Sequence, residues 1–183
     1  MKNYSPGAIA NYFLRKSWEQ GPALTPLSLQ KLVYFANGWH MAFNKNEDEV
    51  LPLINEPFQA WEYGPVCASI YHEFKGFGSN PISKNYLMRE IIISKNSPGF
   101  KIEPRDISPT DKKARNLLEE VWVKYSKFDA IQLSQMVCYD DPDNPWRKAI
   151  KIAKQEGIVR GKEISNQDIK NYFKKLLEEQ RGY

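Results

Sequence analysis

Apolar residues return at helical spacing along most of this chain, and they are densest between Thr25 and Phe43. Leu29, Leu32, Val33, Ala36 and Phe43 follow one side of a helix there, and Phe35, Trp39 and Ala42 sit on the flank beside it. Gln30, Lys31, Tyr34 and Asn37 remain as one narrow polar stripe. A helix that is apolar over so wide an arc must be covered on several sides, so it predicts the central element of the fold. Its start is marked by Thr25-Pro26, a capping residue followed by proline at a position where the missing N–H costs nothing.

The remaining pattern predicts further helices around it. Ser5-Pro6 opens the first, with Ile9, Tyr12, Phe13 and Lys16 on one face and Trp18 on the next, and Gly21-Pro22 closes it. Pro57 to Tyr63 reads as extended and aromatic, with Val50 to Ile54 as a short strand pairing near Phe58 to Trp61. Gly64-Pro65 is expected to stop that strand and start a helix through Ile70, Tyr71 and Phe74, ended by Gly76 and Gly78. Residues 79–107 form a hairpin or insertion-like region: β-branched Ile91 to Ile93, the turn signal Asn96-Ser97-Pro98-Gly99, then Phe100 to Glu103. Ser108-Pro109 is read as the next helix start, before the i, i+3, i+4 series Ala114, Leu117, Leu118, Val121, Trp122, Tyr125. Shorter helices follow over 130–137 and from the Asn144-Pro145 cap, the latter ended by Gly157 and Gly161. Ser165 and Asp168 begin a last helix striped by Ile169, Tyr172, Phe173, Leu176 and Leu177. The expectation is a mainly α, compact single-domain bundle of about seven helices around helix 25–43, with one or two short β-hairpins, spanning 1–183.

Composition changes this picture little. At 183 residues with 42% hydrophobic content, one domain can bury a sizeable core. No apolar run reaches the ~20 residues of a membrane span, and the N-terminus lacks the pattern of a secretory signal, so a cytoplasmic protein with two free thiols, Cys67 and Cys138, is expected. Charge is more informative. Residues 1–144 carry 16 basic against 17 acidic side chains, whereas 145–183 carry 10 against 5, so the net +4 lies wholly in the last fifth. That stretch is either an anionic-partner surface or a pair of solvated helices whose lysine stems cover apolar neighbours.

Candidate chemistry is sparse. His40 and His72 are the only imidazoles, and no nucleophile–base order or paired-carboxylate motif accompanies them. Structural zinc sites offer ligands in close pairs, and neither the two cysteines nor the two histidines are close in sequence. Asp140-Asp141-Pro142-Asp143 lacks the glycine and glutamate of a calcium loop and reads as a turn into the Asn144 cap. No catalytic residue, cofactor or metal is therefore assigned, and the chain is read as a non-enzymatic binding module. Aromatic anchors beside charged groups are the composition of a binding hot spot. On that ground Trp61, Glu62, Tyr63, Tyr71, His72, Phe74 and Lys75 are the candidate partner-binding residues. The hairpin 86–103 and the basic C-terminal helices are rival contact regions.

Three ordered motifs, LQKLVYFANGWHMA, AWEYGPV and YHEFKGFG, are followed by LLEEVWVKYSKFDAIQLS and a Pro-Trp-Arg-Lys-Ala run at 145–149. Together they resemble the Panacea (SocA-like) antitoxin domain family over roughly Ala8 to Phe173. The resemblance implies an antitoxin of a bacterial or phage toxin–antitoxin pair that neutralises a co-encoded protein toxin by direct binding. It also implies one alternative, an adaptor delivering a toxin to an AAA+ protease; a second alternative, a nucleic-acid-binding regulator using the basic C-terminal helices, comes from the charge surplus of residues 145–183. Since nearly the whole chain is accounted for by the core domain, a separate operator-binding module is not expected, nor is a membrane partner.

Overall fold

Ser5 and Thr25 each cap a helix whose first residue is proline. In the computed structural model, which describes residues 3–44, 49–93 and 100–181, these are α1 (Pro6–Gln20) and α2 (Pro26–Ala42). Thr25 Oγ1 accepts from the Ser28 amide while Ser28 Oγ accepts from the Thr25 amide, a reciprocal box that satisfies two donors at the helix start. The elements after them are β1 (Phe58–Trp61), β2 (Gly64–Cys67), α3 (Ala68–Phe74) with a 3₁₀ turn Lys75–Phe77, β3 (Arg89–Ile93) and β4 (Phe100–Pro104). The chain closes with α4 (Lys112–Tyr125), α5 (Ala130–Val137), α6 (Pro145–Gln155), β5 (Lys162–Glu163) and α7 (Asn166–Arg181). Among the described residues there are thus seven α-helices, a three-stranded antiparallel sheet in the order β2-β1-β5, and the separate hairpin β3-β4. The mainly helical expectation holds.

Helix α2 is central, as its wide apolar arc predicts. It packs on α1, α3, α4, α5, α7 and β2, and every residue from Ser28 to Ala42 is buried. One close approach is made by α7. A Cβ on Gly38 would lie 2.3–2.5 Å from three ring atoms of Phe173, so only glycine lets that ring sit against the α2 backbone. Phe173 then meets Tyr34, Phe35 and Trp39 edge-on at 5.8, 6.3 and 5.1 Å. Phe35 stacks on Tyr125 of α4 at 4.0 Å, and Trp39 Nε1 donates to the Tyr125 hydroxyl at 2.9 Å. Such aromatic contacts add roughly 0.5–1.5 kcal/mol each beyond the area they bury.

Four local expectations are corrected. Phe43 follows the helix as its C-terminal cap and is 47% exposed, so it is not part of the buried arc. Residues 50–54 do not pair with β1: Ile54 bridges Tyr4 in parallel, and Tyr4 N donates to Leu53 O at 2.8 Å. Gly64-Pro65 starts a strand rather than a helix, and α3 begins only at Ala68. Gly64 has φ +100 and leaves a two-residue turn, while Pro65, with no N–H to place, sits on the sheet's edge strand. The helix expected at Ser108-Pro109 starts at Lys112, because Asp111 supplies the cap: its Oδ1 accepts from the Ala114 amide at 3.0 Å. The hairpin forms where its β-branched residues predict, with Ile91 opposite Ile102; its turn signal at 96–99 lies outside the described residues.

Candidate functional site

The polar stripe of α2 is the base on which the β1-β2 hairpin is built. An edge strand leaves backbone groups without partners, and here α2 supplies them. Gln30 Nε2 donates to Cys67 O at 3.0 Å and its Oε1 accepts from Cys67 N at 2.9 Å, as a neighbouring strand would. Lys31, wholly buried, donates to Pro65 O at 3.1 Å. Further along, Asn37 Oδ1 accepts from Leu53 N at 2.9 Å. The stripe therefore faces the segment 53–67 and not solvent. Burial of the Lys31 ammonium lowers its pKa from 10.5 to about 8.

Above this base the chain turns at Glu62-Tyr63, between Trp61 and its cross-strand partner Gly64. Three other elements brace the turn. Ser134 Oγ of α5 donates to Tyr63 O at 2.9 Å, and Trp146 Nε1 of α6 donates to Trp61 O at 2.8 Å. β5 pairs alongside β1, with Gln59 opposite Glu163. Just before β5, the Arg160 guanidinium lies 3.4 Å from the Trp61 ring centroid and 5.4 Å from that of Tyr71. Trp61 and Tyr71 meet edge-to-face at 4.6 Å, and Trp61 Nε1 donates to Gln59 Oε1 at 3.0 Å. The result is a stiff, ring-faced prominence with Tyr63 65% exposed at its tip and Glu62 beside it.

The seven sequence candidates divide accordingly. Trp61 and Tyr71 form the partly exposed platform, and Glu62, Tyr63, His72 and Lys75 are exposed. Phe74 is corrected: it is fully buried against Phe77 and Tyr86 and has no surface to offer. Its place on the inward side of α3, next to buried Ile70, removes it from the contact set. Arg160 was not foreseen, because nothing local ties it to a tryptophan 99 positions earlier; the one available signal was that Gly157 and Gly161 fence a short loop. Both have positive φ, which marks them as turn positions.

Several other titratable groups are shifted by burial or by hydrogen bonds. Burial pushes the Cys67 thiol up to about 12, and it donates to Glu56 Oε1 at 3.1 Å. Burial likewise raises Cys138. Glu56 is held below its usual range by the Ser69 and Ala68 amides, so its carboxylate caps α3 from a distance. His40 is buried at the end of α2, its pKa lowered by desolvation although Asp111 opposes the shift, whereas the exposed His72 lies against the ring of Tyr71. The two imidazoles have different neighbours.

The basic C-terminal stretch is largely engaged within the fold. Arg147 pairs with Asp140, Lys148 with Asp168, Lys162 with Glu156, and Lys175 with both Asp141 and Asp143. Lys170 is buried and donates to Glu49 O at 2.9 Å. Much of the charge surplus is thereby matched by carboxylates or covered. No helix is long and apolar enough to cross a membrane among the described residues.

Two comparisons with known proteins find a match. The family model described as antitoxin SocA-like, Panacea domain, matches residues 29–147, which contain α2 from Leu29 onward, the β1-β2 turn, α3 and Trp146. The antitoxin SocA of Caulobacter vibrioides (strain NA1000 / CB15N) is 34% identical over 85 residues, 46% of this chain and 43% of that protein. The matched region thus spans less than half the length of that curated relative. No solved structure matches.

Proposed function

This chain belongs to the family of SocA-like antitoxins with a Panacea domain, and we propose that it is an antitoxin that neutralises a co-encoded protein toxin by direct binding. The observation that carries the proposal is the braced β1-β2 turn. Binding energy concentrates in a few aromatic and arginine anchors, and Tyr63, Trp61, Tyr71 and Arg160 bring four together on one prominence. A segment already fixed by Gln30, Lys31, Ser134 and Trp146 loses little conformational freedom on docking. Masking of the toxin is stoichiometric, and the chain makes and breaks no covalent bond.

The test is growth rescue by co-expression with the toxin gene adjoining this one. The wild-type chain restores growth. Tyr63→Ala and Arg160→Ala, which leave the core intact, are expected to weaken binding by about 10- to 100-fold, the loss of roughly 1.5–3 kcal/mol for one buried anchor. Full rescue by a Tyr63→Ala/Arg160→Ala double variant at limiting expression would refute this surface. The nucleic-acid alternative predicts steeply salt-dependent DNA binding, for which the paired state of Arg147, Lys148, Lys162 and Lys175 gives little ground.

A further inference from the structure

The hairpin β3-β4 presents an apolar face that nothing among the described residues covers. Directly opposed residues of an antiparallel pair point to the same side. The register Ile91–Ile102 and Ile93–Phe100 therefore gathers four apolar side chains on one face. They are 67%, 54%, 77% and 66% exposed, in that order. The opposite face carries Glu90 opposite Glu103 and Ile92 opposite Lys101. Only the base of the hairpin is held. Asn11, fully buried in α1, donates to Met88 O and Arg105 O at 2.8 Å each and accepts from Met88 N at 2.9 Å. Beyond that clamp all of β3, and β4 as far as Glu103, is exposed. A two-stranded ribbon is marginal in water unless one face is packed.

We propose that this face is a homodimer interface, two copies of the chain packing their hairpins face to face about a twofold axis. Its chemistry selects a second copy. The four residues Ile91, Ile93, Phe100 and Ile102 hold no charge and no hydrogen-bonding side chain with which to specify a polar partner, and the one charged group of that face, exposed Arg89 opposite Pro104, lies at the base end of the ribbon, at the rim of the patch. Homodimer interfaces are the most apolar class, and an uncharged patch is complementary to itself under twofold rotation. Size agrees: the exposed parts of these four side chains sum to about 500 Å², judged from the 150–250 Å² that one aromatic buries. Two copies would thus bury at most about 1,000 Å², the size of a weak, transient interface. The expected association is reversible, in the micromolar range. Dimerisation would occupy the hairpin and leave the Tyr63 turn for the toxin, so this inference stands apart from the toxin-binding reading.

The experiment is sedimentation velocity on the full chain without toxin, from about 1 μM to about 200 μM, a range that spans micromolar dissociation. Wild type is expected to pass from the 21.3 kDa monomer to a species of twice that mass. Ile91→Thr/Ile102→Thr, which keeps strand propensity while adding hydroxyls to the face, should raise the dimer dissociation constant at least about 100-fold. Circular dichroism and the melting temperature, followed at the monomer concentration, are expected to stay as in wild type. Ile92→Thr, on the opposite face, should leave the dimer unchanged. A wild type that stays monomeric throughout overturns the proposal, as does a dimer indifferent to the face variant or equally lost with Ile92→Thr. A monomeric wild type whose toxin complex is abolished by Ile91→Thr/Ile102→Thr also overturns it, and assigns the face to the toxin.

Discussion

Replacing Lys31 by methionine is expected to stabilise the protein. The Lys31 ammonium is wholly buried and its one hydrogen bond goes to Pro65 O. A pKa lowered from 10.5 to about 8 corresponds, at 1.36 kcal/mol per unit, to a cost of about 3 kcal/mol for keeping the charge inside at neutral pH. Methionine fills a similar volume without that cost but leaves the buried Pro65 O without its donor, a loss of about 2 kcal/mol. The net expectation is about 1 kcal/mol of added stability at pH 7, or a melting temperature higher by about 2–4 °C for a chain of this size. The pH dependence follows from linkage. Between pH 8 and 10.5 the unfolded chain holds the Lys31 proton more tightly than the folded one, so wild-type stability gains from this group as pH rises. The lead of Lys31→Met should therefore fall by about 2 kcal/mol between pH 7 and pH 9.5 and turn into a deficit of about 1 kcal/mol. Comparing the two proteins at each pH cancels the titration of the cysteines and tyrosines they share. Thermal and urea unfolding across that range is the assay. A variant less stable than wild type at pH 7, or a difference constant with pH, would refute the reasoning. The turn that Lys31 supports should meanwhile be held less firmly, so toxin affinity is expected to fall while stability rises.

Other consequences can be checked independently. Gly38→Ala gains about 1 kcal/mol of helix propensity, but its Cβ meets the Phe173 ring at 2.3–2.5 Å; a net loss of about 2 kcal/mol is expected in urea unfolding. Asn11→Ala removes three hydrogen bonds at the hairpin base, two of them buried, and should cost about 2–4 kcal/mol, with faster amide exchange in β3 and β4. His40, whose pKa is lowered in the folded state, takes up its proton more readily when unfolded, so stability should fall as pH drops below 6.5 toward its folded value. His40→Gln should flatten that limb. The further loss below about pH 4.5, where Glu56 and Asp111 with their lowered pKa values become protonated, should remain.

The helices were legible because their signals are local. Proline after a capping side chain marks the starts of α1, α2 and α6, and each apolar stripe chooses a buried face. What failed were signals that serve two structures. Gly64-Pro65 suits a helix start and an edge strand equally, and the choice falls to the strand because Gln30 and Lys31, more than 30 residues earlier, satisfy its outward backbone. The same two side chains look like a solvated stripe until the segment they bond is known. Phe74 lies among aromatic neighbours that do reach the surface, and only the orientation of α3 sends it inward. Arg160 owes its place to β5, a two-residue strand too short to leave a pattern. The hairpin was readable because β-branched residues crowd on both its strands; that its apolar face would stay uncovered was not.

Hydrogen exchange of the full chain, alone and with the adjoining toxin, tests the central claim most directly. Protection confined to residues 61–75 and the loop around Arg160 is the predicted result. Protection that leaves Trp61 to Tyr71 unchanged and falls elsewhere on the surface would contradict it.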